Sequence, residues 1–276
     1  MRKVLAVAGT LLAGIGLMAY PAISDRLTQR HGSEAIQAYA SAVSLFDDAE
    51  RLAAWQAAEE YNQSLTGQPV HDPFIPGAGK ALQDNYFQLL NADGVMGHLD
   101  VPAIGVRLPI YHGTSEAVLA KGIGHLEGST LPIGGAARHS VLTGHTGLSH
   151  AKMLTDLKQL TTGDRFYIHV LGEVLAYEVD QIKVVEPEQT DDLRRFAGED
   201  YVTLLTCTPY GVNSHRLLVR GERVEYQPDV RDETPAARSA VDRTVLRAAV
   251  ITGAAMLVLI VVVRQLAGAR RRGEKS

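Results

Sequence analysis

The sequence predicts a mainly β domain, a small antiparallel barrel or sandwich, preceded by a helical segment and flanked by two membrane spans. Three patterns carry this reading. From Gly94 onward the apolar residues alternate over short runs that Gly and Pro interrupt. Before that point, residues 33–65 run without Gly or Pro and repeat their apolar side chains at helical spacing. At the two ends stand "VLAVAGTLLAGIGLMAY" (residues 4–20) and "AAVITGAAMLVLIVVV" (residues 248–263), and neither holds a charge.

The apolar ends are justified by length. The second run makes a helix of about 24 Å at 1.5 Å per residue. Arg247 and Arg264 can snorkel at its ends to complete a hydrocarbon layer of roughly 30 Å. Positive charge orients both spans. Arg2 and Lys3 precede the first, and Arg264, Arg270, Arg271, Arg272 and Lys275 follow the second, which predicts cytoplasmic termini and an outward-facing middle. The first run also fits a cleaved signal peptide, although "LMAYPAISD" offers no clean Ala-x-Ala exit. The C-terminal span tethers the chain in either case.

The helical part begins at Ser33, a candidate cap. Ile36, Tyr39, Ala40, Val43 and Leu45 then set the period of one long helix or two broken ones. "TGQPVHDPFIPGAG" (residues 66–79) has the Gly and Pro density of an irregular loop. A shorter helix over residues 83–90 leads to the strands, read from "GHLDVPAI", "VRLPIYHG", "RFYIHVLGEVLAYEVDQIKVVEP", "YVTLLTC" and "RLLVRGERVEY". Short helices interrupt them at "SEAVLAK", "SHAKMLTDLKQL" and "TDDLRRF", and the polar stretch 228–244 links the domain to the second span.

Composition excludes several classes. With 276 residues and 46% apolar content the chain can bury a sizeable core, so disorder is not its main state. Its net charge is −4, and the basic groups at both ends leave the middle more acidic still, which excludes nucleic acid as a partner. A single cysteine in an outward-facing chain excludes an internal disulfide scaffold. No His-Glu-x-x-His or Cys-x-x-Cys spacing is present, so neither a metal nor a cofactor is expected.

That one cysteine, Cys207, ends an apolar strand in "YVTLLTCTPYGVNSHRLLVRG". A nucleophilic thiol needs a cationic or basic neighbour, because the thiolate is the attacking form. If "YVTLLTC" and "HRLLVRGERV" pair across the loop "TPYGVNS", Arg216 lies at the same end of the sheet as Cys207 and shares a face with Leu218 and Arg220. A guanidinium there can donate to an oxyanion. Among ten histidines, His145 in "SVLTGHTGLSHAK" sits where a β run exits between glycines. His150 opens a helical segment, and His112, His125 and His139 lie in or beside strands; the residues alone leave these rivals open. The bland alternatives are a packed thiol, an exposed strand charge at Arg216 or Arg220, and a turn histidine.

These residues resemble the nucleophile signature of sortases, membrane-anchored cysteine transpeptidases in which Thr-Leu-x-Thr-Cys precedes an essential arginine by about nine residues. The likeness extends through "LPIYHGTSEAVLAKGIGHLEGSTLPIGG" and "HSVLTGHTGLSHAKMLTDLKQLTTGDRFYIHV", covering nearly all of residues 94–225. It implies a closed eight-stranded β-barrel, with His145 as catalytic histidine, Cys207 as nucleophile and Arg216 as the arginine. Pilin-polymerising class C sortases carry a lid with an Asp-Pro-aromatic motif and usually a second span. Here "HDPFIPG" supplies Asp72, Pro73 and Phe74.

The domain reading is therefore an N-terminal span or signal anchor over 1–26 and a helical segment with lid loop over 27–93. A catalytic barrel over 94–227, a linker over 228–244, a span over 245–269 and a basic tail over 270–276 complete it. The implied substrate is a Leu-Pro-x-Thr-Gly-like sorting signal on a pilin or other surface protein. The implied amine acceptor is a pilin lysine or, for a housekeeping sortase, a cell-wall precursor. Two other classes compete. An L,D-transpeptidase-like crosslinker expects Gly-Cys-x-Arg, which Thr206 before Cys207 does not supply. A non-enzymatic, membrane-tethered β binding module would leave Cys207 as core.

Overall fold

Eight strands form the centre of the computed structural model, which describes residues 2–65, 70–74, 84–148 and 151–228, with side chains of residues 2–8, 11–13 and 22 outside the description. They are β1 (Gly97–Val101), β2 (Val106–His112), β3 (Ile123–His125), β4 (Arg138–Thr143), β5 (Arg165–Val170), β6 (Glu173–Val185), β7 (Asp200–Thr208) and β8 (His215–Val224). They close into a barrel in the order β1-β2-β3-β4-β7-β8-β6-β5.

The barrel is mixed, which corrects the antiparallel expectation. β2 pairs parallel with β3, and β4 pairs parallel with β7. Parallel neighbours need a crossover. Between β2 and β3 it contains the short helix α3 (Glu116–Leu119); between β4 and β7 it contains β5 and β6. A hairpin signal in the sequence says nothing about such long returns, so periodicity alone points to antiparallel partners.

Alternation along β4, β7 and β8 sorts side chains to two faces. Leu142, Val202, Leu204, Leu217 and Val219 enter the main core inside the barrel. Val141, Leu205 and Leu218 face the other way and build a second cluster with Val70, Leu126 and Leu193, against which Phe74 and Val185 pack. These strands are thus covered on both sides. Burial of the outer face is what places loop residues over the ends of β7 and β8.

Residues 24–227 make one compact unit, and residues 1–23 belong to a second. The N-terminal helices α1 (Arg2–Ser44) and α2 (Asp48–Ser64) separate at residues 45–47. Ser33 does not cap a helix. Its hydroxyl donates to the carbonyl of Gln29 at 2.9 Å inside α1, so the helix runs through it. The start signal is instead Asp47, which accepts from the Glu50 amide at 2.8 Å while Glu50 accepts from the Asp47 amide at 2.9 Å.

Buried polar groups tie these helices to the barrel. Asn62 is fully buried and holds both backbone groups of Leu131, accepting at 2.7 Å and donating at 3.2 Å. Tyr39 Oη accepts the Leu171 amide at 2.7 Å. Other helices are shorter than the sequence predicts. The piece expected over residues 83–90 is one 3-10 turn, Tyr86–Gln88, and that expected in "SHAKMLTDLKQL" is Thr155–Gln159. Among the described residues no helix is long and apolar enough to cross a membrane. The expected linker, second span and basic tail lie almost wholly outside the described residues, as do His150 and all of the lid loop but residues 70–74.

Candidate active site

Strand register brings His145, Cys207 and Arg216 to one level. In the antiparallel β7–β8 ladder Cys207 stands directly across from Arg216. In the parallel β4–β7 ladder the last pair is Thr143 with Leu205. Beyond it the Gly144 amide donates to Leu205 O at 3.1 Å, and Thr206 Oγ1 donates to Gly144 O at 2.7 Å. His145 and Cys207 each lie two residues past that pair, so both continue the outward-facing rows of Val141 and Leu205. Gly144 is needed at the exit. A Cβ there would stand 2.9 Å from Ile123 and 3.0 Å from Leu154. The Leu154 amide then fixes the next peptide by donating to His145 O at 3.0 Å.

Arg216 is buried, and all three nitrogens of its guanidinium donate hydrogen bonds. Nε donates to Asp72 Oδ1 at 2.9 Å and Oδ2 at 3.0 Å, and Nη2 donates to Oδ2 at 2.6 Å. Nη1 reaches the carbonyls of Asn213 and His215, each at 3.1 Å. Asp72 is buried as well. Such a pair is geometrically specific, and removing one partner leaves an uncompensated charge.

Phe74 lies between the cation and the imidazole. Its ring centroid is 5.2 Å from the Arg216 guanidinium carbon and 5.7 Å from the His145 ring. Val70 is buried in the outer cluster with Leu205 and Leu218. The Asp72-Pro73-Phe74 turn therefore lies against the outer face at the end of β7 and β8. Below it is a small pocket lined by Asp72, Val185, Leu193, Leu205, Arg216 and Leu218.

Burial pushes the Cys207 thiol up from its ordinary pKa; the Arg216 charge opposes this, and the Asp72 carboxylate adds to it. With residues 70–74 in place, the sulfur is buried and its surroundings favour the thiol over the thiolate. His145 keeps 16% of its side chain exposed. Its Nε2 is shielded from solvent and makes no aligned hydrogen bond among the described residues, although Glu116 Oε1 approaches it to 3.4 Å.

Three rival histidines, His112, His125 and His139, are committed elsewhere. His112 Nε2 donates to Leu89 O at 2.7 Å. His125 donates from Nε2 to Thr130 O at 2.9 Å and accepts Tyr86 Oη at Nδ1, 2.8 Å away. His139 donates from Nδ1 to Arg194 O and accepts Thr203 Oγ1 at Nε2, both at 2.7 Å. Burial pushes His125 and His139 down to about 4. Arg220 is no free strand charge: it pairs with Asp180 and lies 4.0 Å over the Tyr201 ring. Sequence reasoning missed Glu116, because nothing in its spacing to His145 connects a crossover helix to a strand exit.

Comparison with known proteins agrees with this geometry. Residues 99–224 match the family described as a sortase domain. A solved sortase C-1 from Actinomyces oris is 51% identical and superposes with a TM-score of 0.61, covering 64% of this chain and 99% of its own. A solved pilus-related sortase C of Group B Streptococcus is 44% identical, with a TM-score of 0.65, covering 69% of this chain and 97% of its own. Sortase A of Bacillus anthracis is 26% identical over 159 residues, which are 56% of this chain and 73% of that protein.

Proposed function

The chain belongs to the sortase family of cysteine transpeptidases, and on that premise we propose that it polymerises pilins through Cys207, His145 and Arg216. The observation that carries this reading is the common level of the three residues, His145 two residues past the end of β4, Cys207 on β7 and Arg216 on β8, with Cys207 directly across from Arg216. The likeness to a sortase C that is itself described as pilus-related supports the subgroup.

Catalysis starts when the 70–74 segment leaves. Arg216 then loses its carboxylate partner, and its donors become available to an oxyanion. The Cys207 sulfur gives its proton to His145 as it attacks the threonine carbonyl of a Leu-Pro-x-Thr-Gly-like signal, the peptide C–N bond breaks, and His145 passes that proton to the departing amine. The result is a thioester. A lysine side chain of another pilin subunit attacks it, the C–S bond breaks, and an isopeptide bond forms. Once Val70, Asp72 and Phe74 have left, the surface of Leu193, Leu205 and Leu218 beside Arg216 offers an apolar side chain of the signal the place they covered. Water exclusion by the same apolar surround favours transfer over hydrolysis.

Anchoring belongs to the same proposal. The uncharged runs at residues 4–20 and 248–263, with basic residues on their outer flanks, support two spans, an extracellular catalytic unit and cytoplasmic termini. The test incubates the chain with sorting-signal peptides and amines and identifies products by mass. A mixed thioester and an amide product from the wild type, both lost in Cys207→Ala, are the expected result. Transfer retained by Cys207→Ala excludes the proposal.

A further inference from the structure

Glu116 opens α3, and Leu119 of the same helix is buried and meets Gly124, which holds α3 on the barrel. The Glu116 side chain is 83% exposed, yet its Oε1 lies 3.4 Å from Nε2 of His145. That nitrogen is itself shielded from solvent and lacks an aligned hydrogen bond among the described residues. Phe74, in the Asp72-Phe74 turn, packs against the imidazole at a tilt, with ring centroids 5.7 Å apart. Glu116 thus connects open solvent to the imidazole with a negative charge.

The geometry points to Glu116 as a specificity-determining residue for the acceptor, drawing a cationic amine to His145 in the second half of the reaction; the inference rests on the transpeptidase reading above. A lysine amine arrives as an ammonium ion, because its ordinary pKa is about 10.4. It cannot attack in that form. One proton must leave it for the imidazole and then solvent. As the nitrogen bonds to the thioester carbon and the C–S bond breaks, a second proton passes from nitrogen to sulfur and restores the thiol. Thioester and ammonium become amide, thiol and one released proton. A carboxylate beside the proton-accepting nitrogen favours approach of the charged acceptor. It does nothing for a neutral one.

That asymmetry supplies the test. The full-length chain is acylated with a sorting-signal peptide and offered either a lysine amide, which is cationic, or hydroxylamine, which is uncharged at neutral pH. The ratio of kcat/KM for the two acceptors is the readout, because a merely structural defect lowers both. In Glu116→Gln the lysine-to-hydroxylamine ratio is expected to fall about two- to five-fold, the range of an exposed charge pair. Glu116→Lys lowers it further, and Glu116→Asp recovers part of it. Added salt lowers the wild-type ratio and leaves that of Glu116→Gln unchanged. An equal ratio in wild type and Glu116→Gln overturns the inference, whatever the absolute rates. Failure of the wild type to form any hydroxamate sinks the transpeptidase reading itself, and this inference with it.

Discussion

Arg216 holds the Asp72 carboxylate through both Nε and Nη2, at 2.6 to 3.0 Å, while standing directly opposite Cys207 in the β7–β8 ladder. One guanidinium is therefore bound to the 70–74 turn and set beside the Cys207 thiol. While the pair persists, the cation is neutralised and the thiol stays buried. On the proposed reading, departure of residues 70–74 would admit the substrate and uncover Cys207 in one event.

Removing the carboxylate should free both. Asp72→Ala is expected to raise the rate of Cys207 alkylation about ten-fold or more, since burial and the Asp72 charge both push the thiol up. Breaking a buried pair costs about 3–5 kcal/mol when the orphaned charge stays buried. Here the turn can detach and let water reach Arg216, so the loss in denaturant unfolding should be smaller. An alkylation rate equal to wild type counts against a covering role for residues 70–74.

Phe74→Ala removes the ring that touches both Arg216 and His145. The contact with a cation contributes about 0.5–2 kcal/mol. Alkylation of Cys207 should rise, and Asp72 should still hold Arg216, so the gain should be smaller than for Asp72→Ala. A double variant no faster than the faster single variant would show that the two side chains act as one cover.

Arg216→Lys keeps the charge but loses the planar fork. Lysine cannot reproduce the paired donors toward Asp72 and the carbonyls of Asn213 and His215. Loss of an oxyanion donor typically costs about 10²–10³ in kcat. The prediction is a fall of that size in transfer with the fold retained by circular dichroism. Wild-type transfer in Arg216→Lys would assign the oxyanion to other donors.

Acid should destabilise the fold through His125 and His139. Their folded pKa values are about 4, against roughly 6.5 in an unfolded chain. Between these values the unfolded state binds more protons, so stability rises with pH and is lost as pH falls from about 6.5 toward 4. Each histidine should remove roughly 1–2 kcal/mol by pH 5. Denaturant midpoints at pH 7, 6 and 5 measure this. A His139→Gln variant should flatten the dependence, and a profile as steep as wild type would place the effect elsewhere.

A side chain at Gly144 should injure function more than stability. Its Cβ would meet Ile123 and Leu154 within about 3 Å, at the peptide that delivers His145. Gly144→Ala should cut transfer about ten-fold or more, as expected for a displacement of about 1 Å at a reacting group. Overpacking costs typically about 1–3 kcal/mol. Undiminished transfer would mean that His145 tolerates a shifted exit from β4.

Residues close in the chain were readable without coordinates. Cys207 and Arg216 flank a short loop between two apolar strands, each one residue in from the loop end of its strand, and the antiparallel pairing therefore sets them opposite one another. Gly and Pro density marked the segment that holds Asp72, and uncharged runs marked the apolar ends. Each signal is local, because backbone sterics and side-chain periodicity act over a few residues. Where a local signal had two readings, the sequence chose wrongly: Ser33 bonds back into α1, and the true helix start at Asp47 depends on a reciprocal bond with Glu50.

Tertiary structure decided the remainder. His145 reaches the level of Cys207 through the parallel β4–β7 pair, whose crossover carries two other strands of the barrel. Asp72 finds Arg216 across 144 positions, and Glu116 approaches His145 from a separate crossover. Burial and charge closure drive these meetings, and neither leaves a fixed spacing in the chain. A strand knows which face it will hide, but only the closed barrel determines which distant group will cover it.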